Sequence, residues 1–465
     1  MFFFITFKRM LTCRICSHRD TIDHVAEVLG REGGDAWWKL GVEELLAPSK
    51  LTQYTEKGKQ LPNKGLDILD IWFDSGSSWF SVLGDPKDNE PVADLYLEGV
   101  DQFTGWFQSS LLTATALTGK APYKQIYVHG FTLDESGRKM SKSLGNVIDP
   151  EKVTNGGKNL EKDPVYGADV LRWWVAAHAT NNVGGMTIGK RILDQSRESV
   201  QKIRSVVRFL LAGIEGFNFE KQKMELGKLQ FLDQYMLHLL HLYHRKVWDA
   251  YDNFQYHRVP MMAEQFINTE VSAFYITCIR DRLYCEEDED SKRVSCQITL
   301  HYLLDHLLVS LAPLLPHLVE EAAMHHPQRE SWRVFHATNS VLPSSWLQPE
   351  LASLMEKCRE VRTDLYKTYS PGKAFHMHVT LQASDQTYDA LKMLQSKEND
   401  QDSALCEFLQ VPEITLQKHY DDNNGYKISV SNAETVKCLR CRRITAQPEQ
   451  DLCSRCHNIV NTLLL

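Results

Sequence analysis

No stretch of this 465-residue sequence approaches the roughly 18 uninterrupted apolar residues that a membrane-spanning helix needs. The longest candidate, residues 307–318, is broken by Pro313 and Pro316, so no membrane association is expected. The opening MFFFITFKRM is too short for the apolar part of a signal peptide and has no cleavage pattern. It also lacks the length and the Arg/Ser-rich amphipathic character of a mitochondrial transit peptide. A basic excess is missing as well: 52 Lys and Arg stand against 60 Asp and Glu, for a net charge of −8. That excludes nucleic-acid binding by bulk charge and leaves only local patches for it. Eleven cysteines are too few for a disulfide scaffold in a chain this long. Internal repeats are absent.

What is present is an ordinary globular balance, 43% hydrophobic and 24% charged, which excludes a wholly disordered chain. At about 150 residues per domain the length suggests roughly three domains. Residues 1–64 mix Gly, charge and short apolar pieces with no compact pattern. Residues 65–150 read as α/β: an apolar segment at 68–73 running into a turn-like DSGSS, a helix over 102–117, a strand over 125–133, then a charged Gly-containing loop. Residues 165–360 are largely helical. Ile192, Val200, Ile203, Val207, Leu210 and Ile214 keep helical spacing, and Leu232, Tyr235, Leu239, Tyr243 and Val247 repeat it. Two further stripes (Met262, Phe266, Phe274, Cys278; then Val294, Ile298, Leu304, Leu308) complete a predicted helix bundle. Alternation at Phe375, Met377, Val379 and Leu381, and at Tyr426, Ile428 and Val430, with a helix-like stretch near 388–394, predicts a small α+β unit. Residues 396–403 read as a polar loop, and the acidic run 286–290 as a solvated one.

Two motifs carry chemistry. Lys139-Met140-Ser141-Lys142-Ser143 follows Asp134-Glu135-Ser136-Gly137-Arg138 after an apolar strand. Two lysines three apart in a Gly/Ser-rich loop suit a mobile phosphate clamp, since ammonium groups stabilise charge developing on phosphate oxygens. An exposed basic turn is the plainer alternative. Upstream, Glu98 and Asp101 with Gln102 follow a short strand and open a helix. Carboxylates at a strand's C-terminal end can hold an ammonium group or a ribose hydroxyl, although a helix-capping role for Asp101 explains the same spacing.

Cys438-x-x-Cys441 and Cys453-x-x-Cys456 suit a closed, structural, tetrahedral zinc site better than four unrelated thiols. Lys437, Arg440, Arg442, Arg443 and Arg455 surround it, against Glu434, Glu449 and Asp451, a modest phosphate-contacting patch. A second basic surface lies on the helix predicted over 190–208, where Lys190, Arg191, Lys202, Arg197, Arg204 and Arg208 outnumber Asp194 and Glu198. Cys13, Cys16 and His18 form at most half of a metal site. His317 and Glu320 fit a helix start, and His129 fits a structural strand residue.

Three segments, in this order, carry a family resemblance: IWFDSGSSWF (71–80), LYLEGVDQFTGWFQSSLL (95–112) and HGFTLDESGRKMSKSLGN (129–146). They resemble the second half of the catalytic domain of class I isoleucyl-tRNA synthetases, of the bacterial type used in mitochondria. YGADVLRWW, RFLLAGIEGFN and IRDRLYCEEDEDSKRVSCQ extend the likeness, which runs from about residue 65 to the C-terminus. The resemblance implies a multidomain α/β plus all-α architecture. Its expected parts are an unclear remnant linker (1–64), half of a Rossmann-like catalytic domain (65–150), a stem-contact region (151–205) and a helical anticodon-binding bundle (206–360). A small α+β domain (361–433) and a zinc module (434–465) follow.

The resemblance further implies activation of isoleucine by ATP to isoleucyl-adenylate, then transfer to tRNA(Ile). Glu98, Asp101 and Gln102 would contact the adenylate, with Trp72 and Trp106 walling the side-chain pocket. Lys139 and Lys142 would stabilise the ATP phosphates, within an ATP-binding loop that includes Met140, Ser141 and Ser143. Magnesium accompanies ATP, and Cys438, Cys441, Cys453 and Cys456 hold zinc. Lys190, Arg191, Arg197, Arg204, Arg440, Arg442 and Arg443 would meet tRNA. A monomer is implied, placed in the mitochondrial matrix by likeness and otherwise in the cytoplasm. Two departures matter. The family's His-x-Gly-His motif occurs nowhere in the sequence, and nothing matches the inserted editing domain, which acts as a second hydrolytic sieve where one methylene discriminates poorly. The expected product is therefore a truncated synthetase that binds tRNA better than it activates isoleucine, with apolar surface exposed near 68–73. The alternatives are a purely RNA-binding module and a valyl or leucyl enzyme.

Overall fold

The structure, a computed structural model, describes residues 3–7, 14–15, 18–68, 70–84, 92–178, 184–328, 334–336, 341–370, 374, 376–395, 401–418 and 425–463. Cys13 and Cys16, Phe375, and residues 396–400 of the expected polar loop lie outside them. The chain divides into two compact units, one of residues 1–131 with 181–185, the other of 132–180 with 186–465.

In the first unit, the helix Arg19–Glu32 lays Val28 on Ala36, Trp37 and Leu45, and Trp37 is fully buried. Lys64 Nζ donates to the carbonyls of Trp37 and Leu40 at 2.8 and 2.7 Å, tying this small core to the strand Asn63–Ile68. That strand flanks Phe3–Phe7 antiparallel, with Arg14–Ile15 on the other side. A compact cluster thus exists where the sequence pattern showed none, because its apolar contacts join one face of Arg19–Glu32 to two very short helices that carry no long period to read.

The unit's other half is a β–helix–β crossover. Ala93–Gly99 pairs in parallel with Tyr123–His129, from Ala93 opposite Tyr123 to Gly99 opposite His129. The connection runs through a 3₁₀ turn, Val100–Thr104, and the helix Trp106–Thr118, which ends at Gly119 in the left-handed region (φ 75°). The helix expected over 102–117 therefore starts four residues late. Gly105, at φ −119° and ψ −114°, interrupts the helical path between the two pieces. The DSGSS segment is helical rather than a turn: Ile71–Gly76 and Ser78–Leu83 are two short helices, the first capped by the Asp70 carboxylate accepting from the Trp72 amide at 2.8 Å. Gly76 is needed for close approach, since a Cβ there would sit 2.8 Å from Ser109 Cβ. The strand expected over 125–133 breaks at Gly130 and Phe131. Thr132–Leu133 instead pairs with Met186–Thr187 in the second unit.

The second unit follows the apolar stripes. Helices Lys190–Gly213, Phe231–Asp252 and Ser291–Leu311 bury Leu210, Tyr235, Leu240, Val247, Leu304 and Leu308 together. The third stripe occupies a continuous helical run, Arg258–Gln265, Phe266–Ile276 and Thr277–Cys285, whose middle section is π-helical. The acidic run at 286–290 is not wholly solvated. Glu286 is buried, and Asp290 caps Ser291–Leu311 by accepting from the Lys292 amide at 2.7 Å.

The α+β unit has Met377–Ala383 at the centre of its sheet, antiparallel to Tyr426–Asn432 and parallel to Glu413–Lys418. Val379, Leu381 and Ala383 are buried while their alternates are half-buried, as the period of two requires. It joins the bundle through a buried charge cluster: Arg282 pairs with Asp233 at 3.0 Å and with Glu407 of the helix Ala404–Leu409.

Candidate functional site

Glu98 is the last residue but one of the strand Ala93–Gly99 and is exposed. One residue on, Gly99 lets the chain turn tightly: a Cβ there would meet Asp101 Oδ1 at 2.8 Å and His129 Cε1 at 3.7 Å. Gln102 Nε2 donates to Asp101 Oδ2 at 3.2 Å, while Gln102 Oε1 accepts from the Trp106 amide at 3.1 Å. Gln102 is thereby locked between the acid and the start of the helix. A Cβ on Gly105 would lie 2.6 Å from the Trp72 ring and 3.0 Å from Gln102 Oε1, so glycine brings the indole onto this cluster. Trp106 is held from two sides. Its ring stacks on Tyr96 at 4.1 Å and 4°, and its Nε1–H donates to Ser78 Oγ at 3.0 Å. Within this unit Glu98, Asp101, Gln102, Trp72 and Trp106 therefore gather where one strand ends and one helix begins. Beside them Ile71, Trp72 and Phe73 are 73%, 42% and 41% exposed, an apolar surface of the expected kind.

The lysine loop belongs to the second unit. Its organiser is Asp134. The carboxylate accepts from the Ser136 and Arg138 amides at 2.9 Å each, from Arg138 Nε at 3.0 Å and from Asn146 Nδ2 at 2.9 Å. These bonds, led by the one from Asn146, hold the Asp134 carboxyl down to about 2. Asn146 then reaches back: its Oδ1 accepts from the Ser141 amide at 2.9 Å. Ser141 Oγ lies 3.2 Å from Ser143 Oγ and accepts from the Leu144 amide at 3.3 Å. Met140 packs against the cluster of Val153, Trp174, Ile188 and Leu193, whereas Lys139 and Lys142 are exposed. Sequence reasoning singled out the lysines and missed the brace of Asp134 and Asn146. The signal was an Asp and an Asn bracketing a Gly-containing loop, the residues that most readily bond to nearby backbone.

The four cysteines come together in the hairpin Val436–Lys437/Ile444–Ala446 and at the start of the helix Ser454–Leu463. Their sulfurs all lie within 4.8 Å of one another, with Cys441 and Cys453 at 3.9 Å. Tetrahedral zinc with Zn–S bonds of about 2.3 Å needs sulfurs roughly 3.8 Å apart, so the donor set fits. The hydrogen bond between them splits two of the thiols, holding Cys453 down to about 4 and driving Cys441 up. A second group, His301, Asp305 and His326, is also clustered. There the His326 ring accepts the Gln328 amide at Nδ1 (3.1 Å), which puts the proton on Nε2, facing Asp305 Oδ1 at 2.9 Å. With that proton in place, His326 Nε2 has no lone pair to offer a cation and serves as a donor to Asp305. His317 bonds Asp169 at 2.9 Å at the start of Pro316–Met324, a structural place.

The basic residues divide. On Lys190–Gly213, Lys190 Nζ reaches the Glu161 carbonyl at 2.8 Å, Arg197 pairs with Asp194 at 2.9 Å, and Arg204 pairs with Glu321. Arg191, Lys202 and Arg208 are exposed on the same helix. In the cysteine module Arg442 is exposed, with φ 63°. Arg440 and Arg443 turn inward, Arg440 onto the Cys285 carbonyl at 2.6 Å and Arg443 onto Asp281 at 3.3 Å and Asp402 at 3.1 Å. A cavity of about 910 Å³ is lined by residues of both the module and the helix Thr277–Cys285, among them Arg280, Tyr284, Lys437 and Arg442, all exposed.

Comparison with known proteins adds to this geometry. The family described as tRNA synthetases class I (I, L, M and V) matches residues 6–188, and the anticodon-binding domain of tRNA ligase matches 233–370. The chain is 38% identical to the mitochondrial isoleucine–tRNA ligase of Mus musculus, over 95% of its own length and 46% of the relative's. It is 36% identical to the isoleucine–tRNA ligase of a Synechococcus strain, over 94% and 48% respectively. The chain thus spans about half the length of the curated relatives it matches.

Proposed function

The chain belongs to the class I tRNA synthetases, and from that premise we propose that it is the C-terminal portion of an isoleucine–tRNA ligase serving mitochondrial translation. The observation that carries this reading is the lysine loop, in which the bonds of Asp134 and Asn146 fix the backbone around Lys139 and Lys142, both exposed.

In this reading Lys139 and Lys142 stabilise the phosphates of ATP as charge develops on them, Lys142 most directly. Asp134 and Asn146 are positioning residues that hold the loop without touching substrate. Glu98 and Asp101 face the ammonium group or the ribose of the isoleucyl-adenylate, with Gln102 aligned by its two bonds, and Trp72 and Trp106 wall the isoleucine side chain. Magnesium bound with ATP neutralises phosphate charge. Zinc on Cys438, Cys441, Cys453 and Cys456 would be structural, closing the module. The bundle and the cavity beside the module receive the anticodon of tRNA(Ile), where Tyr284 can stack on a base and Arg280, Lys437 and Arg442 face phosphate.

The exposed apolar surface at Ile71, Trp72 and Phe73 and the missing His-x-Gly-His motif support a second element of the reading: this chain alone binds tRNA better than it activates isoleucine. ATP–pyrophosphate exchange on the purified chain tests it. The expected result is little exchange from a preparation that binds tRNA, and robust isoleucine-dependent exchange would overturn that element.

A further inference from the structure

Arg443 and Arg455 enter an acidic socket in the helical bundle. The Asp281 carboxylate, on the helix Thr277–Cys285, takes both Arg443 (3.3 Å) and Arg455 (3.2 Å). Glu286, one residue beyond that helix, takes Arg455 at 2.7 Å. Asp402 adds a third carboxylate, 3.1 Å from Arg443 and 3.8 Å from Arg455. These are sheltered contacts: the side chains of Asp281, Glu286, Arg443 and Arg455 are 13%, 7%, 21% and 16% exposed. Arg440 adds a bond to the Cys285 carbonyl at 2.6 Å, and Cys285 Sγ faces the Arg440 carbonyl at 3.9 Å. Apart from those to Asp402, which lies just before the helix Ala404–Leu409, these links run from the cysteine module to one turn-and-a-half of helix or to the loop that flanks it.

The neighbouring residue extends the chain of charges inward. Arg282 is buried between Asp233 and Glu407, so the dipeptide Asp281-Arg282 joins the module, the bundle and the α+β unit. Burial alone would push the Asp281 carboxyl up, but Arg443 and Arg455 outweigh it and hold it below the usual range. Of the cations that line the cavity, Arg280, Lys437 and Arg442 are exposed, whereas Arg440 and Arg443 line it with their head groups engaged by the Cys285 carbonyl and by Asp281 and Asp402.

We propose that Asp281 and Glu286 are positioning residues, an electrostatic latch that seats the zinc module on the bundle through Arg443 and Arg455, so that these two arginines shape the RNA-facing cavity without contacting RNA. The division of labour rests on the RNA-binding reading above, but the latch itself does not. Removing one carboxylate leaves sheltered guanidinium groups short of a partner, a change that frees the module.

Hydrogen exchange on the full chain loaded with zinc tests the latch without any RNA. In Asp281→Asn, amides over residues 438–456 should exchange at least about tenfold faster, while the bundle core around Leu304–Leu308 keeps its protection and zinc content stays unchanged. Asp281→Glu should restore protection, and Arg442→Ala should leave it as in the parent chain. The double variant Asp281→Asn/Glu286→Gln serves if the single change is absorbed by Glu286 and Asp402. Unchanged exchange over 438–456 in that double variant overturns the proposal. So does loss of bundle protection along with the module's in both Asp281→Asn and its double variant, because the socket would then be part of the general core. If the latch behaves as expected but Arg442→Ala does not weaken RNA binding, the RNA reading fails and the latch stands.

Discussion

Asn146 donates to the Asp134 carboxylate at 2.9 Å while its own carbonyl oxygen accepts from the Ser141 amide at 2.9 Å, so one amide side chain fastens both ends of the lysine loop. The loop's order should therefore follow the protonation of Asp134. Its carboxyl is held down to about 2, below an ordinary value of about 3.9. For a depressed carboxyl, the stabilisation is complete above the ordinary value and is lost as pH falls through the lowered one. The Ser136 and Arg138 amide resonances should stay constant from about pH 7 to about pH 5 and titrate with a midpoint near 2. A midpoint at the ordinary carboxylate value would show that the brace does not form. Asp134→Asn should loosen the loop at all pH values.

Gly105→Ala probes the crevice. The added Cβ would sit 2.6 Å from the Trp72 ring, so either the indole moves or the helix start shifts. A destabilisation of about 1–3 kcal/mol is expected for overpacking of this kind, with a change in tryptophan fluorescence. Thermal melting and emission spectra together check it, and an unaltered spectrum would mean that Trp72 does not rest on Gly105.

Arg282→Met tests the charge cluster between bundle and α+β unit. The side chains of Arg282 and Asp233 are 4% and 0% exposed, and removing the guanidinium leaves two sheltered carboxylates facing each other. A loss of about 3–5 kcal/mol is expected, read by urea denaturation. Replacing Asp233 by Asn as well should recover part of it, as the two changes share one network.

Zinc removal should act locally. With a chelator, or in Cys441→Ser, amides over 438–456 should lose protection while the bundle's melting transition is retained, since the module's buried cluster consists of its own cysteines with Ala446. The metal content of the parent chain should be one zinc per chain. Collapse of the whole bundle on chelation would contradict a closed structural site.

What the sequence disclosed and what it hid divide along a physical line. The helical stripes through Leu210, Tyr235 and Leu304 and the alternation through Val379 and Leu381 were legible, because one-sided burial leaves a local period in a single element. The four cysteines were legible because metal ligation fixes short spacings. Pairings across long sequence separations were not: Arg455 meets Asp281 and Glu286, and Arg282 meets Glu407, and no local pattern marks either. That is why Glu286 read as part of a solvated run and the carboxylate partners of Arg443 went unseen. The late start at Trp106 was likewise invisible, since it depends on what packs against Gly105 rather than on the apolar period around it.

The central claim, that this chain carries the RNA-binding and lysine-loop portion of an isoleucine–tRNA ligase, is tested most directly by equilibrium binding of purified chain to tRNA(Ile) alongside tRNA(Val) and tRNA(Leu) at fixed salt. The account predicts that tRNA(Ile) binds at least about tenfold more tightly, that Arg442→Ala weakens binding and lowers the salt slope by about one, and that Lys142→Ala leaves affinity nearly unchanged. Equal affinity for the three tRNAs would contradict it.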